Sequence, residues 1–107
     1  DCNAKKIILG KKINVIPYQC FGWNDNLKEI HILSKGKIIW GLDSYGNYQG
    51  LDVCTPKSQN LDIYIHSDKF HTESVKKWRC DERVTVHVPK KVMAKYRKYT
   101  NCKVVAL

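Results

Sequence analysis

The sequence predicts an all-β domain, a sandwich or small barrel of short strands, on the basis of two observations. About six to eight runs rich in Ile, Val, Leu or aromatic residues are separated by Gly, Asn, Asp or Ser. In the clearest runs apolar and polar residues alternate, which is the period of a strand with one buried face. The 107 residues contain no internal repeat and no linker, so one domain over residues 1–107 is predicted.

Strand signals fill the first half of the chain. Residues 5–18 hold two apolar runs broken at Gly10, which predicts a hairpin. Residues 27–33 alternate and form the next predicted strand. Residues 37–42 form another, and the turn-forming residues 43–46 end it.

The second half continues the pattern. Residues 61–67 and 83–88 alternate, and residues 101–107 form a last strand. Residues 69–78 could form one short helical turn. The positions of the alternating runs predicted to be buried are Leu27, Ile30, Ile32, Leu61, Ile63, Ile65, Val84, Val86 and Val88.

Five cysteines are spread from end to end without a CxxC pair, so a zinc cluster has no local half-site. Their spread predicts disulfide bonds in an oxidising compartment, and therefore a secreted, extracellular protein. The start at Asp1 without methionine fits a mature chain. Which cysteine stays unpaired, and which pairs form, remain open among Cys2, Cys20, Cys54, Cys80 and Cys102.

The positive charge is concentrated in the second half. The net charge is +9, and residues 1–53 carry seven lysines against five acids, whereas residues 54–107 carry twelve Lys and Arg against five. Residues 88–99 hold five basic residues and no acid. A field of this sign attracts anionic surfaces. The candidate binding cations are Lys90, Lys91, Lys95, Arg97 and Lys98, with a second cluster at Lys76, Lys77 and Arg79.

Aromatic residues lie close to several of these cations. Such residues suit a membrane headgroup region, and they suit a protein contact equally well. The candidate interface aromatics are Trp78, Tyr96 and Tyr99, with Phe21 and Trp23 in a loop. The competing interpretation is a solvated loop whose lysines serve solubility and protect sheet edges. Nucleic acid is not expected, because no RNA- or DNA-binding motif is present.

Three segments, residues 41–51, 61–71 and 80–93, resemble motifs of the nematode transthyretin-like family in order and spacing. The residues that carry the resemblance are Gly41, Asp43, Ser44, Gly46, Tyr48, Leu61, Ile63, Tyr64, His66, Cys80, Arg83, Val84, Val86, Val88 and Pro89. The resemblance implies a transthyretin-like antiparallel β-sandwich of seven or eight short strands, stapled by disulfides. The family usually has a cysteine where this chain has Ser67, so Cys80 would need another partner, with Cys54 the nearest in sequence.

The same resemblance bears on function. Related hydrolases end in Tyr-Arg-Gly-Ser, and this chain does not, so an enzyme is not expected. His66, His71 and Cys80 are the residues from which a metal site or a thiol–histidine pair could be drawn, but a structural role is favoured and no cofactor or metal is expected.

The expected function is therefore that of a secreted binding protein. Family members have been linked to phosphatidylserine on apoptotic cells, which they bridge to a phagocyte receptor. The basic clusters would supply a peripheral membrane contact. The alternative is an extracellular carrier or signalling protein that binds a small hydrophobic ligand or a protein partner. Assembly into an oligomer stays open.

Overall fold

A computed structural model describes residues 5–18, 26–50, 60–78 and 83–107. These residues form seven strands and two helices. In chain order the elements are β1 (Lys6–Leu9), β2 (Val15–Pro17), β3 (Glu29–Ile32), β4 (Ile39–Leu42), β5 (Leu61–Ile65), α1 (Thr72–Val75), β6 (Val84–Val88), α2 (Lys90–Tyr99) and β7 (Lys103–Ala106).

All pairings within the sheets are parallel. Sheet A has five strands in the order β1-β3-β5-β6-β7, and sheet B consists of β2 and β4. After each of the first four strands of sheet A, the chain passes through a return layer made of β2, β4, α1 and α2 in turn, and then comes back to add the next strand. This winding path is that of a short solenoid.

The predicted antiparallel β-sandwich is therefore wrong, and the domain is a small α/β structure with parallel sheets. The predicted hairpin is wrong as well, because β1 and β2 lie in different sheets. Alternating apolar and polar residues usually indicate antiparallel sheets, since parallel sheets are normally covered on both faces. Here the return layer covers one face of sheet A and no element of the described chain covers the other, so parallel strands also alternate.

The positions of the strands and of the core were predicted correctly. All nine alternating positions predicted to be buried are at most 3% exposed. They pack against aromatic and apolar side chains of the return layer, where Trp40 and Trp78 meet edge to face with ring centroids 4.9 Å apart. One continuous core thus joins the two layers.

Helix α2 is the element that the periodicity analysis missed. Pro89 precedes it, and Val92 and Tyr96 are buried four residues apart, which is the spacing of one helical face. Arg97 donates from Nη2 to the backbone carbonyl of Val104 at 3.0 Å and so ties the helix to β7. The five cations of the helix concealed this apolar face in the sequence.

Two glycines allow the return layer to pack closely. Gly41 and Gly50 have φ angles of 70° and 87°. A Cβ on Gly41 would lie 2.1 Å from the carbonyl oxygen of Gly50, and a Cβ on Gly50 would lie 2.4 Å from that of Lys77. These backbones can approach only because neither glycine carries a side chain.

This geometry predicts a graded series of glycine-to-alanine substitutions. Gly10→Ala should leave the free energy of unfolding unchanged, because its Cβ meets nothing within 4 Å. Gly46→Ala has space but a φ of 82°, and should cost roughly 1–2 kcal/mol. Gly50→Ala adds a backbone clash and should cost more than Gly46→Ala. Urea unfolding of the three variants measures the order, and equal losses at Gly46 and Gly50 would contradict the close packing.

Candidate anionic-surface site

Parallel order places the carboxyl ends of all five strands of sheet A at one edge. Four segments follow β1, β3, β5 and β6 at this edge: residues 10–14, 33–38, 66–71 and 89–91. They carry seven exposed lysines and one carboxylate, that of Asp68. We name this set of lysines the basic edge; it consists of Lys11, Lys12, Lys35, Lys37, Lys69, Lys90 and Lys91. At about 4.8 Å between neighbouring strands, four segments extend over roughly 15 Å.

Hydrogen bonds hold the segments of the basic edge side by side. The hydroxyl of buried Ser34 donates to the side-chain carbonyl of Asn14, which joins the first two segments. The hydroxyl of buried Ser67 contacts the carbonyl oxygens of Gly36 and Lys35, the latter at 3.2 Å, and joins the second segment to the third. The lysines therefore project from a connected support.

The fourth segment joins through an ion pair. Lys91 Nζ lies 3.4 Å from Oδ2 of Asp68, and this contact is the main cause that lowers the pKa of Asp68. Both side chains are well exposed, so the pair contributes little to stability. It neutralises one lysine and leaves the charge of the others uncompensated by any carboxylate in these four segments.

The five cations predicted on residues 88–99 all lie on α2 and are all exposed. Lys90 and Lys91 are the first two residues of the helix and lie at the basic edge. Lys95 Nζ lies 5.9 Å from the ring centroid of Phe70, and Lys98 Nζ lies 5.3 Å from that of Tyr99. Arg97 has a structural role, since its guanidinium binds β7.

The structure describes two of the three residues in the second predicted cluster. Lys76 and Lys77 are exposed directly after α1, which contacts α2. Arg79 lies outside the described residues. The structure therefore brings the two lysines and the cations of α2 into neighbouring parts of the return layer.

Two of the predicted interface aromatics are core residues. Trp78 is 1% exposed and Tyr96 is 2% exposed, so neither can contact a partner. Burial also raises the pKa of the Tyr96 hydroxyl. Tyr99 is half-buried beside Phe70. Phe21 and Trp23 lie outside the described residues.

The open face of sheet A carries an aromatic ladder that sequence analysis did not find. His31, Tyr64 and His87 occupy matching positions of β3, β5 and β6. The Tyr64 ring stacks between the two imidazoles, with centroid distances of 4.5 Å to His31 and 4.2 Å to His87. The three positions are polar members of alternating runs, but only the in-register parallel pairing reveals that they are neighbours.

Two carboxylates orient the imidazoles of the ladder. His31 Nε2 donates to Glu29 at 2.8 Å, and His87 Nε2 donates to Asp62 at 2.9 Å. Partial burial, together with the two carboxylates, raises the pKa of Tyr64. Each imidazole is thus fixed by a ring on one side and a carboxylate on the other.

The remaining candidates for chemistry have structural surroundings. His71 caps α1, where its Nδ1 accepts from the backbone N–H of Ser74 at 3.3 Å. The pKa of His66 is lowered, mainly by partial burial and then by nearby Lys35. Within the described residues, no group of three or more His, Cys, Asp or Glu side chains is placed to hold a metal ion.

Of the cysteines, only Cys102 falls within the described part of the chain, and it is disulfide-bonded. Cys2, Cys20, Cys54 and Cys80 lie outside it, so the predicted pairing of Cys80 stays a prediction. Secretion stays a prediction too.

The chain matches no protein-family model, no curated protein and no solved structure at a level that establishes relationship. The resemblance to the transthyretin-like family is therefore not supported by a relative, and the fold that it implied is wrong. In the described residues no helix is long and apolar enough to cross a membrane.

The ladder generates a prediction about pH. The pKa of Glu29 lies below its ordinary value, and the hydrogen bond from His31 is the largest cause. The pair therefore stabilises the fold above the ordinary pKa of glutamate, and this contribution is lost as pH falls through the folded-state pKa. Substituting His31→Ala should raise the pKa of Glu29 toward its ordinary value, as measured by NMR titration of the carboxyl carbon.

His87→Ala is the matched control. It removes the other imidazole of the ladder but leaves the bond to Glu29 in place, so the Glu29 titration should move much less. Equal shifts in both variants would contradict the assigned bond.

Proposed function

We propose that this protein is a binding module whose basic edge attaches it to an anionic phospholipid surface. One observation carries the proposal: the parallel order gathers seven exposed lysines and one carboxylate at a single edge of sheet A. The positive charge of these lysines supports binding to an anionic lipid, and this support does not depend on the transthyretin-like fold.

The magnitude is sufficient for reversible attachment. An anionic leaflet attracts each nearby lysine by about 1 kcal/mol, decaying within a Debye length. Because hydrogen bonds of Ser34 and Ser67 join the segments, the lysines are presented together rather than on independent loops. Lys95 and Lys98 extend the positive charge along α2.

Solubility alone is the competing explanation for lysines. It does not require them at one edge, and the ladder face of the same sheet mixes acids, bases and aromatics. Phosphatidylserine is the lipid that we propose as the physiological target, in an extracellular setting.

A second function, recognition of a protein partner, is favoured by the aromatic ladder. Tyr64 and two histidines form a stacked, partly exposed strip across three strands, and tyrosine is common at the centre of interfaces. This face lies away from the return layer, so it could bind a receptor while the basic edge contacts lipid. In this second function the protein bridges a lipid surface and a receptor, and bridging requires the lipid binding proposed above.

The test is co-sedimentation with phosphatidylcholine vesicles that contain or lack phosphatidylserine, at low and moderate salt. The triple variant Lys35→Gln, Lys69→Gln, Lys90→Gln removes up to about 3 kcal/mol of attraction. Half of that amount already weakens binding about tenfold. We expect a loss of at least that size, with binding of the parent reduced by salt.

The control triple variant is Lys5→Gln, Lys28→Gln, Lys103→Gln. It has the same change in charge, but these lysines lie at the opposite, amino-terminal edge of sheet A. It should bind vesicles nearly as well as the parent. Equal losses in the two variants, no dependence on phosphatidylserine, or tighter binding to duplex DNA than to vesicles would each contradict the proposal.

A further inference from the structure

We propose that the open edge of β1 is a strand-addition site for an extended polypeptide segment in which acidic and apolar residues alternate. The site lies along the side of β1 and shares only Lys11 and Lys12 with the basic edge. It concerns a protein ligand, so it goes beyond the lipid function.

Among the described residues, the backbone of β1 is paired on one side only. It is the terminal strand of sheet A, and the carbonyls of Lys5 and Leu9 accept from the β3 side, at 2.8 Å from Lys28 and 3.0 Å from Leu33. Backbone groups of successive residues in a strand point alternately to the two sides. The N–H and C=O groups of Lys6 and Ile8 therefore point to the open edge, where they can pair with another strand.

The lateral edges of β7 and β2, near the two ends of the solenoid, each offer fewer free backbone groups. The same alternation directs the carbonyl of Val104 in β7 outward, and Arg97 already binds it at 3.0 Å. In β2 the outward position Pro17 has no N–H to donate. In β1, by contrast with β2, both outward residues, Lys6 and Ile8, carry an N–H donor.

Exposed apolar side chains cluster at the same end. Four of the six exposed large apolar residues of the described chain belong to its first turn: Ile8 at 57%, Val15 at 42%, Ile13 at 40% and Tyr18 at 38%. Solenoids normally cover their terminal turns with polar caps. This turn has none in the described residues, so a bound strand would remove apolar surface from water.

Charge identifies the chemistry of the ligand. Lys5 and Lys6 are exposed at the start of β1, and Lys11 and Lys12 are exposed just beyond its end. On its paired side, β1 already shows the fitting arrangement, because Lys6 is in register with Glu29 and contributes to the lowering of its pKa. A ligand strand with a carboxylate opposite Lys6 and apolar residues opposite half-buried Ile7 and Leu9 would repeat this pairing on the free side.

The probe is a fluorescein-labelled, end-blocked peptide Glu-Glu-Ile-Glu-Ile-Gly, and the readout is fluorescence anisotropy with the full chain. We expect saturable binding that Ile8→Pro weakens at least fivefold. That substitution removes an outward N–H and leaves the β1–β3 hydrogen bonds intact, and circular dichroism would check the fold. Tyr45→Ser, which removes an apolar side chain that is 88% exposed elsewhere, should bind as the parent does.

A charge exchange completes the test. Lys6→Glu should weaken binding of the acidic peptide and should improve binding of the peptide Lys-Lys-Ile-Lys-Ile-Gly. The basic-edge triple variant should bind the acidic peptide as the parent does. No binding by the parent, no effect of Ile8→Pro, no exchange of preference, or loss of binding in the triple variant would each overturn the proposal.

Discussion

The packing of one face of a parallel five-stranded sheet against a return layer is the constraint on which the rest of the structure depends. Since the strands run in one direction, every connection must cross to the other layer and come back. The return layer meets this requirement with whatever each connection can form: a strand in the first two turns and a helix in the next two. Its side chains complete the core, in which Trp40, Trp78 and Tyr96 fill the space beneath Ile63 and Val86 and their neighbours. None of the described elements covers the opposite face of the sheet, where the register arranges the polar side chains in rows.

The sequence predicted the strands and the inward positions because both depend on local alternation. It did not predict their direction, because an open parallel sheet and an antiparallel sheet produce the same pattern of apolar and polar residues. The failure at residues 5–18 has the same origin. Gly10 separates two apolar runs, as in a hairpin, but β1 pairs with β3 and β2 pairs with β4. Direction is a property of pairing between distant segments, and a single sequence carries little information about it.

The candidate site was predicted in part for the same reason. The cations of α2 are close together in the sequence and were found, whereas Lys35 and Lys69 are far apart in it and become neighbours only through parallel order. The aromatic ladder needed the register as well as the direction. Trp78 and Tyr96 were assigned to the surface because cations surround them in the sequence. In α2 these cations occupy the solvent face of an amphipathic helix and the aromatic ring occupies the other.

The number of residues that connect two neighbouring strands of sheet A does not affect how those strands pair. Glu29 pairs with Asp62 across a much longer stretch of chain than separates Thr85 from Lys103, yet both pairs are neighbours on adjacent parallel strands. The register between adjacent strands is therefore independent of the number of residues that connect them. Insertions and deletions between strands should thus leave the register of sheet A unchanged. By contrast, a single residue gained inside β5 would shift Tyr64 out from between His31 and His87 and exchange the inner and outer faces of that strand.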